Sequence, residues 1–291
     1  MSDRRTMTGG ELLTGFSAIA SQTDVLICDV WGVVHNGQTA HAGACAALER
    51  FRAGGGTVIM VSNSPRPSSD VIPQMMRFGV TRASFDDIIT SGDVTRGLIM
   101  ARSGGKVLHL GPERDRTLFE GLDAPLSDAS DAAYCVCTGY DDDETQTAAD
   151  YADVLALMAA RRLVMICANP DLVVERGDRL IPCAGAMAVA FEKLGGEAIY
   201  AGKPHRPVYV EALAMAARLR GVQAPLERTR AIGDAIRTDI TGAVGMGLES
   251  ILLLEGIHWA DVGGEDWPGK HRAWLEAQAV MPRYVMARLI W

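Results

Sequence analysis

Val25-Leu26-Ile27-Cys28-Asp29-Val30-Trp31-Gly32-Val33-Val34 sets an apolar run against a carboxylate and then a glycine turn. A strand this apolar is expected to be covered on both faces. A charge at its carboxyl end then escapes burial only by facing the crevice where open α/β sheets bind ligands. Asp29 is therefore a candidate nucleophile or metal ligand. Taken alone it reads equally well as a helix N-cap, because Asp is common after strands. The rest of the chain decides between the two.

Working outward, short β-rich runs alternate with helical stretches. Strands are expected at Val25–Asp29, Thr57–Ser62, Lys106–Leu110, Tyr134–Thr138, Leu163–Ala168, Ala198–Ala201, Arg230–Gly233, Ser250–Leu254 and Tyr284–Leu289. Between them, Ala42–Ala53, Thr145–Ala160, Gly185–Leu194 and Pro207–Arg218 carry helical patterns that stop near Gly or Arg. Alternation of this kind implies βαβ units, hence an α/β fold around a mostly parallel, doubly wound sheet. Residues 258–272, with Gly263-Gly264 and Pro268-Gly269, read as a surface loop or short irregular helix.

The chemically suggestive residues fall in two blocks, Asp29 to Asn63 and Lys203 to Asp239, with an independent α/β unit between them. That is the pattern of an inserted domain. Its edges are placed near Thr90-Ser91-Gly92 and Gly195-Gly196, which are turn-like and small enough to act as hinges. The expected division is a discontinuous core of 1–89 and 198–291 and an insert of 90–197.

Composition narrows the function. Hydrophobic residues make up 48% and charged residues 22% of 291, which is ordinary for a globular chain. A net charge of −8 argues against tracking a nucleic-acid backbone. The six cysteines form no Cys-x-x-Cys pair and read as reduced core thiols, not as a disulfide framework or zinc site. No apolar run approaches the ~18 residues of a membrane span, and the first ten residues lack an apolar signal core. A soluble, cytoplasmic protein is expected, with neither nucleic acid nor membrane as partner.

Four segments carry candidate chemistry. A carboxylate such as Asp29 beside a divalent cation can attack phosphorus, splitting one difficult hydrolysis into two easier steps. Thr57-Val58-Ile59-Met60-Val61 empties into Ser62-Asn63-Ser64, whose hydroxyls and N–H groups suit phosphoryl oxygens, although an ordinary turn is the commoner reading of such a loop. Gly202-Lys203-Pro204 places an ammonium among turn residues, where it can offset negative charge. Ile232-Gly233-Asp234 with Asp239 gives two carboxylates at a strand end, an oxygen-only set suited to magnesium. An N-cap pair would explain one of these Asp residues but not both.

Together these segments resemble the haloacid dehalogenase superfamily, in particular its class IIA phosphatases, and the resemblance covers nearly the whole chain. It implies a Rossmann-like core with an inserted α/β cap of the C2 type. It also implies a magnesium-dependent phosphohydrolase acting on a small phosphorylated metabolite, such as a sugar phosphate, through an aspartyl phosphate. In that scheme Asp29 is the nucleophile, Ser62 and Asn63 bind phosphate, and Lys203 neutralises charge. The metal ligands would be Asp29, the backbone carbonyl of Trp31, Asp234 and Asp239. Asn169 and Asp171, in Ala168-Asn169-Pro170-Asp171, are candidates for reading the leaving group from the cap. Caps of this type often mediate dimers, so a homodimer through the cap is a further implication.

One departure matters. Most phosphatases of the superfamily carry a second Asp two residues after the nucleophile as general acid and base, and here that position is Trp31. An indole N–H exchanges no proton at neutral pH. General acid–base help is worth roughly 10²- to 10⁴-fold. His35, four residues on, is the candidate substitute, its ordinary pKa being suited to proton transfer. Two other readings stay open: a 2-haloacid-type hydrolase, which uses an Asp nucleophile without magnesium, and a weakly catalytic phosphometabolite-binding protein.

Overall fold

The structure is a computed structural model describing residues 9–102, 104–176 and 179–291. In chain order its elements are β1 (Glu11–Leu12), α1 (Ser17–Ala20), β2 (Val25–Asp29), α2 (Ala42–Ala53), β3 (Thr57–Ser62), α3 (Ser68–Arg77), β4 (Asp87–Thr90), α4 (Ser91–Met100), β5 (Val107–Leu110), β6 (Tyr134–Cys137), α5 (Ala152–Ala160), β7 (Val164–Cys167), β8 (Val173–Arg176), β9 (Arg179–Pro182), α6 (Ala184–Lys193), β10 (Glu197–Tyr200), α7 (Arg206–Arg220), β11 (Thr229–Gly233), α8 (Thr241–Gly245), β12 (Glu249–Leu253), α9 (Trp267–Glu276) and β13 (Tyr284–Met286). By packing they form two compact units. The first takes the chain up to Val61, Met75–Ile88 and Ala212–Trp291, and the second takes Ser62–Gln74 and Ile89–Glu211.

A seven-stranded sheet in the order β1-β13-β12-β11-β2-β3-β4 organises the first unit. The pairs from β1 through β3 are parallel. Every residue of β2 and β11 is buried, which is why β2 reads as a continuous apolar run up to Asp29 and not as an alternating one. From β2 the chain turns to β3 on one side and reaches β11 on the other only much later. The carboxyl ends of β2 and β11 therefore flank a topological switch point, where sheets of this class leave a crevice. Helix α2 buries Ala44, Cys45, Ala47, Leu48 and Phe51, a helical spacing, and the Phe51 ring meets Phe16 edge to face at 5.1 Å. The architecture is the α/β, Rossmann-like one expected.

The second unit has its own four-stranded sheet, β10-β7-β6-β5, also parallel, and an antiparallel hairpin of β8 and β9. Its core packs Cys135, Cys137, Met165 and Cys167 of the middle strands against Met158 of α5 and Met187 and Phe191 of α6. All six cysteines are buried and none forms a disulfide among the described residues. Among the described residues no helix is long and apolar enough to cross a membrane.

Several local expectations are corrected. Thr90-Ser91-Gly92 is no loose hinge: β4 runs directly into α4 through a capping box in which Thr90 and Asp93 satisfy each other's amides. Gly195-Gly196 lies inside the second unit, turning the chain from α6 to β10 where a Cβ on Gly196 would overlap the Phe191 ring. The helix expected over Thr145–Ala160 starts later. A 3-10 turn at Ala148–Tyr151, boxed by Thr147 and Asp150, leads into α5. Of the two readings of 258–272, the short helix is the one observed: turns and a 3-10 turn at Gly264–Asp266 lead into the ten-residue α9, begun with Pro268 in its first turn. The short strands β1, β4, β8 and β9 went unread.

Candidate active site

Because β2 and β11 pair with Cys28 opposite Ile232, the residues that follow emerge at one edge of the sheet. Asp29 ends β2, and Asp234 follows β11. A single π-turn, Ile236–Ile240, then brings Asp239 back. Carboxylate oxygens of the three lie within 4.8 Å of one another. Their residues are only 8%, 8% and 3% exposed. Asp234 Oδ2 accepts the Ile257 N–H at 3.1 Å, and Asp239 Oδ2 accepts the Ala235 N–H at 3.1 Å.

Glycines make the room. A Cβ on Gly32 or Gly256 would overlap the Asp234 carboxylate, and one on Gly233 would overlap Asp239. Gly32 also has φ of 81°, a conformation that disfavours any side chain. An all-oxygen donor set in a shielded pocket suits a hard divalent cation. The residues present therefore fit magnesium.

Two residues beyond Asp29, the Trp31 ring is half-buried, packed closely on Gly37 and edge-on to His35 with centroids 5.3 Å apart. His35 does not fit the acid–base role expected of it. It is 4% exposed, and its Nδ1 accepts the Gly37 N–H at 2.9 Å. Burial, with His41 adding to it, lowers its pKa to about 4. At neutral pH it is an uncharged ring whose lone pair is already engaged, so it neither delivers nor collects a proton there.

The second unit gathers another polar group. Asn63 Oδ1 accepts the Lys203 N–H at 2.7 Å, and Asn63 Nδ2 donates to the Lys203 carbonyl at 3.1 Å and to Asp171 Oδ1 at 3.0 Å. Its amide thus clasps the backbone on both sides of Lys203, a residue 4% exposed. A Cβ on Gly202 would overlap Asn63, so the glycine of Gly-Lys-Pro permits the clasp. Asn169 Oδ1 accepts the Asp171 N–H at 3.0 Å, ordering the turn from which Asp171 reaches Asn63. Ser62 Oγ accepts the Ser64 N–H at 3.1 Å. Of the two residues read from the sequence as leaving-group contacts, Asn169 accepts the Asp171 amide and Asp171 accepts the Asn63 side-chain amide.

The sequence did not single out the loop after β12. Gly256 and the Ile257 amide both serve Asp234. The signal lay in Glu255-Gly256, a glycine directly after an apolar strand, the same cue that marked Gly32.

Comparison with known proteins agrees with this geometry. The profile of the family described as Haloacid dehalogenase-like hydrolase matches residues 26–124, and a second, HAD-hydrolase-like profile matches 200–289. A hydrolase of the haloacid dehalogenase-like family from Brucella suis 1330 has a solved structure 43% identical to the chain. It covers 95% of this chain and 99% of that one at a TM-score of 0.85. The D-glycerol 3-phosphate phosphatase of Mycobacterium tuberculosis is 29% identical over 249 residues, which are 84% of this chain and 66% of that protein. The chain thus spans just under two thirds of that relative. A glycerol phosphate phosphatase from the same organism, solved with magnesium, is 25% identical with a TM-score of 0.68, covering 92% of this chain and 76% of that one. With its carboxylates at the switch point and the 43%-identical structure matching it nearly end to end, the chain belongs to the haloacid dehalogenase-like hydrolase family, in the class IIA phosphatase branch its motifs resemble.

Proposed function

We propose that the protein hydrolyses a small phosphate ester, a sugar phosphate or a similar short polyol phosphate, with Asp29 as nucleophile. One observation carries the reading: three carboxylates converge within 4.8 Å at the ends of two adjacent parallel strands. Asp29, Asp234, Asp239 and the Trp31 carbonyl would hold magnesium. When bound, that ion offsets charge on the phosphoryl oxygens and on Asp29. A carboxylate oxygen of Asp29 attacks phosphorus, and the bond to the ester oxygen breaks. Water then hydrolyses the acyl phosphate, restoring Asp29 and releasing phosphate. Ser62 and Asn63 keep the phosphate-orienting role implied by the resemblance, and Lys203 the charge-neutralising one. The segment 90–197 is proposed as the inserted cap.

Trp31 shapes what such an enzyme can cleave. The departing oxygen receives no proton from position 31, and His35 is neutral with its Nδ1 occupied. Cleavage should therefore be fastest for esters whose leaving oxygen is weakly basic. The glycerol phosphate phosphatases among the relatives supply the substrate class to try first.

The test is a screen of purified protein with Mg2+ against polyol and sugar phosphates, phosphoglycolate, pyridoxal phosphate and nucleotides, with Asp29→Asn as control. Phosphate release from at least one ester, abolished in Asp29→Asn and by EDTA, is expected. Release that survives Asp29→Asn would refute the nucleophile. Turnover of 2-haloacids in EDTA would instead support carbon–halogen cleavage.

A further inference from the structure

The π-turn that carries Asp239 begins without a cap of its own. Its N-cap residue, Ala235, has no side-chain oxygen, so the first amides need acceptors from elsewhere. One comes from Asp239 itself, which takes the Ala235 N–H. The other comes from the loop after β12, where His258 Nε2 accepts the Ile236 N–H at 3.2 Å. A ring nitrogen that accepts bears no proton, so the neutral imidazole carries its hydrogen on Nδ1, which lies 3.2 Å from Asp261 Oδ2. The ring also leans on Trp274, centroids 5.0 Å apart. The residue before it, Ile257, donates its N–H to Asp234. Two consecutive residues of one loop thus hold both acidic positions, one through the carboxylate and one through the turn.

We infer that His258 is a positioning residue for the cation. By accepting the Ile236 amide, with its own ring orientation fixed by Asp261 and Trp274, it keeps Asp239 in place beside Asp29 and Asp234. The inference rests on reading the three carboxylates as a metal site. Groups that orient metal ligands typically cost 10–100-fold in metal affinity when removed. The apolar packing beneath the turn, Ile236 and Ile240 against Leu252, Leu254 and Val262, secures the fold of this region without help from the imidazole.

The test measures metal binding directly, not turnover. Full-length protein is titrated with Mn2+ by electron paramagnetic resonance of the free ion, and the metal-free forms are melted in parallel. His258→Phe, which keeps a ring but offers no acceptor, should bind Mn2+ at least about tenfold more weakly than the parent at a similar melting temperature. His258→Gln, whose side-chain oxygen reaches the position of Nε2, should restore most of that affinity. Asp261→Ala alters an exposed carboxylate, and loosening of the ring should still weaken Mn2+ binding measurably. Parental affinity in His258→Phe overturns the proposal. If that variant does not fold, parental affinity in Asp261→Ala overturns it instead. Failure of the parent to bind Mn2+, or binding undiminished in Asp234→Asn, would refute the metal reading itself and is distinguishable from either result.

Discussion

At the scale of single residues, Trp31 sets the sharpest expectation. It stands two positions from Asp29 with its indole pressed on Gly37, so a smaller acidic side chain fits the same backbone without displacing a neighbour. Trp31→Asp should raise kcat on alkyl phosphates by roughly 100-fold, the lower end of the usual span of general acid–base help. It should change turnover of p-nitrophenyl phosphate far less, because that leaving group needs little protonation. A steady-state comparison of the two ester types checks this, and an equal change on both would show that position 31 handles no proton. His35→Gln should leave kcat within about threefold, since the native ring has no proton to give near neutrality and acid–base loss would cost at least 10².

At the scale of elements, the strand that ends at Asp29 was legible to the residue. Val25–Asp29 and Thr57–Ser62 were read with their observed ends, because a continuous apolar run stopped by a polar loop leaves little choice of boundary. Asp234 and Asp239 were legible for the same reason. What stayed hidden depended on partners distant in sequence. The Asn63 amide spans to Lys203, and the Ile257 and His258 contacts reach back to Asp234 and Ile236, which no local pattern announces. The start of α4 was different. Thr90-x-x-Asp93 is a capping box in plain sight, and small residues had been read as flexibility. Besides the Asp93 amide that Thr90 receives, the Asp93 carboxylate faces four donors: the Thr90 N–H at 2.9 Å and hydroxyl at 3.0 Å, and the Ser68 N–H at 3.0 Å and hydroxyl at 3.2 Å. Thr90→Ala should therefore cost about 1 kcal/mol, and Asp93→Ala more, since buried donors lose their acceptor. Urea denaturation would register both as a lower midpoint at unchanged slope, and an unshifted midpoint for Asp93→Ala would contradict the role given to this box.

At the scale of the whole molecule, each unit carries a neutral histidine, buried in the first and half-buried in the second. His35 in the first and His109 in the second have pKa values lowered to about 4, in both cases mainly by burial. The unfolded chain takes up these protons near pH 6.5 and the folded chain does not. Their contribution is therefore fully present above about pH 6.5 and is lost as the pH falls through about 4. Chemical denaturation at stepped pH should show stability declining over that window, with a shallower slope in His35→Gln. An identical slope in that variant would remove His35 from the account.

The sheet order has a consequence for how the protein is made. Val25 pairs with Thr229, so the strand bearing Asp29 lacks one flanking neighbour until β11 has been synthesised. The second unit's sheet draws all its strands from between those two points. During synthesis the second unit can thus complete its sheet while the strand bearing Asp29 waits, its apolar edge open to chaperones and to aggregation. Truncation after the second unit should leave that unit protease-resistant and tethered to an unfolded amino-terminal segment.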